Sequence, residues 1–231
     1  MGYGFKVRVY GDYACFTRPE MKAERVSYDV MTPSSARGIL EAIYWKPAIT
    51  WVIDKIHVLN EINFTTIRRN EVSENIKKSN VYKAMKGEGT IEVAATEMRQ
   101  QRSTLALKDV NYVIEAHFRL TNRATAEDTE EKHYNIMLRR LRKGQCFHTP
   151  CFGTREFSAK FEIIEDDISI QRSKLIGEMD LGYMLYDMDY KMIENNNNKK
   201  ESTYSVVVDP MYFKAKLFDG VLDLTDIKVV K

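Results

Sequence analysis

His117 and Tyr44 are the residues whose type and setting come nearest to chemistry in this chain. His117 stands in the segment EAHF, within an alternating run that places Val113, Glu115, His117 and Arg119 on one face. Tyr44 closes a short amphipathic segment, in IYWKP, just before Pro47 ends it. Upstream lies a long connection carrying Arg18, Lys22 and Arg25. An imidazole, ordinarily near pKa 6.5, serves as acid or base at neutral pH. A phenol near pKa 10 orients a substrate group more readily than it abstracts a proton. Guanidinium and ammonium groups hold developing phosphate charge.

That set suffices for cleaving RNA without metal. The 2′-hydroxyl attacks the adjacent phosphate, one group takes its proton, another protonates the 5′-oxygen, and cations hold the phosphorane. His117 is the candidate acid or base, and Tyr44 the candidate for orienting the hydroxyl or phosphate. A competing metal route needs clustered carboxylates. The acids at 165–167 and 187–189 sit in an acidic C-terminal part and read as solvated charge. A lone strand histidine is more often structural, and a helix-end tyrosine more often packed. Catalysis by this pair therefore requires both to lie near a basic surface. Walker A, G-x-S-x-G and H-E-x-x-H motifs are missing from the sequence, so those enzyme classes lose their usual support.

Cys146, His148 and Cys151 are close in sequence, but a fourth ligand and a second C-x-x-C-like pair are lacking, and free thiols are the better reading. Three cysteines do not make a disulfide framework. No metal or other cofactor is expected. No apolar run approaches the roughly 20 residues of a membrane helix, and MGYGFKVRVY has no signal-peptide core. A cytoplasmic protein with no membrane partner is expected.

The net charge of +2 conceals an asymmetry. Residues 66–108 carry Arg68, Arg69, Lys77, Lys78, Lys83, Lys86, Arg99, Arg102 and Lys108 against five Glu, and residues 132–145 carry five basic groups and no acid. Residues 161–194 reverse the balance. A cationic face rather than general stickiness follows, although a charge run is usually a solvated surface.

The elements that must position these groups follow from periodicity. Phe5, Val7 and Val9 alternate with Lys6, Arg8 and Tyr10, a half-buried strand. Thr32-Pro33 opens a helix over 33–45, with Ala36, Ile39, Leu40 and Ile43 on its buried stripe. A strand over 49–58 changes phase near Asp54-Lys55, the mark of a bulge. Residues 65–108 read as a polar stretch, flexible around KGEG at 86–89. Residues 110–120 form the clearest strand. Asp128 with Glu131 suggests a capping box opening a helix over 129–143, with Tyr134, Met137, Leu138 and Leu141 buried. A last strand fits 155–163.

Strand, helix, strand, strand, helix, strand is the ferredoxin-like, RRM-related βαββαβ order. An α+β fold is expected, with residues 1–164 as that domain and 165–231 as a smaller β-rich one. The sheet face away from both helices should display Lys6, Arg8, Tyr10, Glu115, His117 and Arg119. In the C-terminal part, strands fit 182–190, 203–208, 211–218 and 221–224, Asp219-Gly220 is a hairpin turn, and Asn195–Lys200 a loop tip.

Six segments then carry a family resemblance: GDYACFTRPEMKAERVSYDVMTPSSARGILEAIYWKP, TIRRNEV, RQQRSTLALKDVNYVIEAHF, KHYNIM, GTREF and DLGYMLYDMD. Together, in this order across essentially the whole chain, they resemble the CRISPR-associated RAMP superfamily, Cas-five branch, subtype I-C. The resemblance implies a metal-independent endoribonuclease that cuts the repeat hairpin of precursor CRISPR RNA. It then stays on the 5′ handle among the other subunits of a Cascade-type complex. It implies that Tyr44 and His117 are catalytic, and that a third, lysine position is occupied here by Glu115, so that another Arg or Lys supplies the cation. Basic residues in the matching segments, Arg25, Arg68, Arg69, Arg99, Arg102, Lys132 and Arg155, together with Lys143 from the basic stretch 132–145, are the RNA-binding candidates. The acidic C-terminal part is expected to support the sheet or touch partner subunits. The alternative is a non-catalytic scaffold that binds the crRNA handle. A generic RRM-like binder fits less well, since residues 110–120 present Glu, His and Arg where an RRM stacks aromatics.

Overall fold

A computed structural model describes residues 4–21, 23–92, 94–165, 169–195 and 203–231. Its elements run β1 (Gly4–Ala14), β2 (Arg25–Val26), α1 (Pro33–Ile43), β3 (Ile49–Val58), β4 (Asn63–Val72), α2 (Lys78–Met85), β5 (Arg99–Leu120), α3 (Glu130–Arg142), β6 (Lys160–Ile164), β7 (Glu178–Asn195), β8 (Thr203–Phe218), β9 (Val221–Asp223) and β10 (Val229–Val230). The protein is mixed α/β and dominated by one sheet. Its central strands lie in the order β3-β5-β1-β6, each antiparallel to its neighbour. Beyond β3 the sheet continues through β9, which pairs with it at Lys55–His57. Backbone pairing therefore crosses the boundary expected at 164/165.

Alternation sorts the side chains as the sequence suggests. Phe5, Val7 and Val9 on β1, Trp51 and Ile56 on β3, and Tyr112, Ile114, Ala116 and Phe118 on β5 are buried. They pack with Ala36, Ile39, Leu40 and Ile43 of α1 and Met137 and Leu141 of α3 in one core. Phe5 stacks on Tyr134 of α3 with ring centroids 4.8 Å apart, so α3 covers β1. Burying such large side chains contributes about 1.5–3 kcal/mol each. The Thr32 cap and Pro33 start α1, and the Thr32 hydroxyl accepts from the Ser35 N–H. In α3 the cap is Thr129, one residue later than expected, because the Asp128 carboxylate is engaged by the Thr125 N–H and hydroxyl.

The expected polar stretch at 65–108 is in large part ordered. β4 pairs with the first half of β5 from Asn63↔Lys108 to Val72↔Arg99, so β5 is 22 residues long and projects a two-stranded arm past the core. Its residues are mainly exposed, so backbone pairing rather than an apolar face holds it. β7 and β8 form a second long hairpin, and the two strands expected at 203–208 and 211–218 are one. Lys22 and residues 196–200 of the expected loop tip lie outside the described residues. No described helix is long and apolar enough to cross a membrane.

Candidate active site

The sheet face opposite the helices carries the titratable groups. His117 is β5's contribution, half-buried, with Nδ1 2.9 Å from Asp54 Oδ2. Arg119 Nε donates to His117 Nε2 at 3.3 Å. The neutral ring therefore carries its proton on Nδ1, donates it to Asp54, and accepts the Arg119 N–H at the Nε2 lone pair. Asp54 reaches the histidine because β3 bulges. The register runs from Ile53↔Ala116 directly to Lys55↔Glu115, and Asp54 is the extra residue.

Glu115, expected at the lysine position, is held by a second histidine, with Oε1 2.6 Å from His57 Nε2. The cations come from β1 and from β5 itself. Lys6 is the cross-strand partner of Glu115, and Gly4 that of His117. Lys6 makes no hydrogen bond or ion pair with the described residues, whereas Arg8 is committed to Asn111 and Glu162. Gly4, opposite His117, adds no side chain to the face that carries Lys6, His117 and Arg119. The expected face of Lys6, Arg8, Tyr10, Glu115, His117 and Arg119 is present.

Tyr44 lies on the other side of the sheet. It caps α1, its carbonyl accepts from Trp51 Nε1 at 2.9 Å, and Trp51 pairs with Phe118 on the helix side. Only 2% of Tyr44 is exposed, and its hydroxyl is 2.7 Å from His133 Nδ1. Burial pushes the Tyr44 phenol up, against the pull of the Arg140 guanidinium, which sits over its ring. Burial likewise pushes the His133 imidazole down. Asp128 Oδ1 is 3.3 Å from His133 Nε2 but off the line of a hydrogen bond, which leaves that nitrogen without a hydrogen-bond partner. The structure thus does not bring Tyr44 and His117 together.

The RNA-binding candidates fall into two groups. Arg68, Arg69, Arg99 and Arg102 lie on the β4–β5 arm, and Arg25 joins them because β2 pairs Arg25 with Thr104. Three are partnered: Arg25 with Glu71 at 3.5 Å, Arg102 with Glu24 at 3.8 Å, and Arg69 with Glu156. Arg68 and Arg99 are exposed. Away from the arm, Lys132 pairs with Asp128 at 3.6 Å at the start of α3, Lys143 caps its end, and Arg155 is exposed beside α1. Among the described residues no three His, Cys, Asp or Glu side chains cluster as metal ligands.

Sequence reading missed Asp54, His57 and His133 as partners. The signal for His133 was available, since it shares the spacing of Met137 and Leu141 on one helix stripe. Asp54 gave none, because its contact with His117 depends on sheet register.

Sheet, helices and polar face define a mixed α/β protein with an acid–base pair and cations on an open sheet surface. The family described as CRISPR-associated protein (Cas_Cas5) has a model that matches residues 4–223, and the chain belongs to this Cas5d family. It is 47% identical over 229 residues to the CRISPR pre-crRNA endoribonuclease Cas5d of Mannheimia succiniciproducens, covering 97% of this chain and 96% of that one. To the protein of the same name from Thermus thermophilus it is 38% identical over 227 residues, covering 95% and 90%. A solved structure described as that of a CRISPR-associated protein has the same fold, with TM-score 0.66, 24% identity and coverage of 99% and 96%.

Proposed function

We propose that this chain is a metal-independent endoribonuclease that cuts CRISPR precursor RNA in its repeat hairpin, works in the cytoplasm, and stays on the 5′ handle as a subunit of a Cascade-type complex. The names of its two relatives support the substrate and the activity. The single structural observation behind the mechanism is the Asp54–His117 pair on the open face. When RNA binds, Arg119 turns from His117 Nε2 to the phosphate, and Nε2 takes the 2′-hydroxyl proton as the 2′-oxygen bonds to phosphorus. The bond to the 5′-oxygen breaks, water protonates that oxygen, and Asp54 stabilises the imidazolium that results. Lys6 and Arg119 hold the charge that builds on the phosphate, the role the resemblance gives to a lysine. The strand order β3-β5-β1-β6 with α1 and α3 on one face supports a ferredoxin-like unit over residues 1–164, with the smaller β-rich part over 165–231 added at its β3 edge.

Arg25, Arg68, Arg69, Arg99 and Arg102 would meet the hairpin along the β4–β5 arm. An A-form stem is read by shape, phosphate and 2′-hydroxyl, which suits such an arm. Lys132, Lys143 and Arg155 would hold RNA on the helix side.

The buried Tyr44 hydroxyl favours a second reading, a scaffold that binds the handle without cutting, because the two candidate catalytic groups do not share a site. Incubating the purified protein with CRISPR repeat RNA, with and without EDTA, separates the two. Cleavage indifferent to EDTA supports the nuclease, and tight binding of uncut RNA supports the scaffold.

A further inference from the structure

We propose that the groove along the outer side of α1 holds unpaired nucleotides next to the repeat hairpin, an inference that rests on the RNA-processing reading above. The groove has a volume of about 650 Å³ and is lined by Ser35, Gly38 and Ala42 of α1 on one wall and His148, Cys151 and Arg155 on the other. That volume is in the range that takes a ligand the size of a nucleotide or two.

Three independent features point to RNA. Gly38 lies in mid-helix, where glycine weakens a helix relative to alanine. It has no packing reason to be there, since a Cβ built on it would meet nothing within 4 Å. The room it leaves opens onto the groove and serves something outside the chain. The second feature is an aromatic held out to solvent. The N–H groups of Phe147 and His148 both donate to the Ala42 carbonyl, at 2.9 and 3.0 Å, which docks this segment on the end of α1. Phe147 does not line the groove but adjoins it, 73% exposed, with its ring edge-on to that of the lining residue His148 and centroids 4.4 Å apart. A fixed, exposed ring is a platform on which a base of any identity stacks. The third is charge: Arg155 on the facing wall is exposed and makes no hydrogen bond or ion pair with the described residues, so it is available to a phosphate. Small wall, aromatic platform and available guanidinium match a single strand of RNA.

Gly38→Leu and Phe147→Ala test this, read by fluorescence anisotropy on two RNAs: the repeat hairpin with unpaired flanks, and the same hairpin cut blunt. Gly38→Leu fills the groove yet strengthens the helix, so its Tm is expected to rise by about 2–4 °C. Both variants should bind the flanked RNA roughly 10-fold more weakly, the scale of losing one stacked base, and bind the blunt hairpin as wild type does. Gly38→Leu binding the flanked RNA at wild-type strength overturns the proposal. So does normal RNA binding combined with failure to assemble with partner subunits, which would make the groove a protein contact. Wild-type protein that binds neither RNA would instead refute the RNA-processing reading itself.

Discussion

Asp54→Asn is the substitution that most directly probes the histidine. The carboxylate oxygen is 2.9 Å from His117 Nδ1, and the two side chains are 31% and 24% exposed. A hydrogen bond to a charged group contributes about 1.5–3 kcal/mol. Partial exposure to solvent and salt argues for the lower end of that range. Asparagine still offers an oxygen to the Nδ1 proton, so the tautomer survives and only the support of the imidazolium is lost. Taking about 1.5 kcal/mol, single-turnover cleavage should slow roughly 10-fold, with RNA affinity unchanged. Asp54→Ala, which loses the orienting oxygen as well, should fall further, towards the 100-fold or more expected for His117→Ala. The assay is single-turnover cleavage of labelled repeat RNA at saturating protein, beside anisotropy for binding. Wild-type rates in both Asp54 variants would refute the idea that His117 works from this pair.

Three further outcomes concern the helix side and the fold. Tyr44→Phe leaves His133 Nδ1 buried without its partner, which costs about 1–3 kcal/mol and should lower Tm by roughly 2–12 °C. Cleavage well below Tm should change far less than in His117→Ala, and a loss of similar size with a native Tm would move the chemistry to the helix side. Burial depresses the folded-state pKa of His133, so the unfolded chain binds the extra proton and stability should decline as pH falls below about 6.5. In His133→Gln that slope of Tm between pH 7 and 5.5 should flatten, and an unchanged slope would exclude His133 as its source. Gly153→Ala should cost about 1–3 kcal/mol in chemical denaturation, since φ is 81° there and a Cβ would collide with the Cys15 carbonyl; wild-type stability would contradict the tight seating of the GTREF loop against the strand end.

What was legible in the sequence is what periodicity controls. The helix expected over 33–45 ends at Ile43 instead, and the phase change at Asp54-Lys55 is a real bulge. The open face is displayed as expected because one buried side of β1 and β5 dictates the other. The β4–β5 arm was illegible because Arg, Thr, Asn and Gln dominate it, and its strands are fixed by ladder hydrogen bonds rather than by a buried stripe. The two histidine pairs depend on register between segments about 60 positions apart, 63 for His117 and Asp54 and 58 for His57 and Glu115. Local spacing carries no trace of such contacts. The burial of Tyr44 follows from which way α1 faces the core. Its place at the helix end, read alone, already favoured packing over chemistry.

The central claim is attack by the RNA's own 2′-hydroxyl, with His117 as its proton acceptor. Repeat RNA with one 2′-deoxy nucleotide at the cut site, compared with all-ribose RNA in EDTA, measures it most directly. The deoxy substrate should bind with unchanged affinity and remain intact, while the all-ribose RNA is cut at full rate with chelator present. Cleavage of the deoxy substrate, or loss of all cleavage in EDTA, would contradict the mechanism.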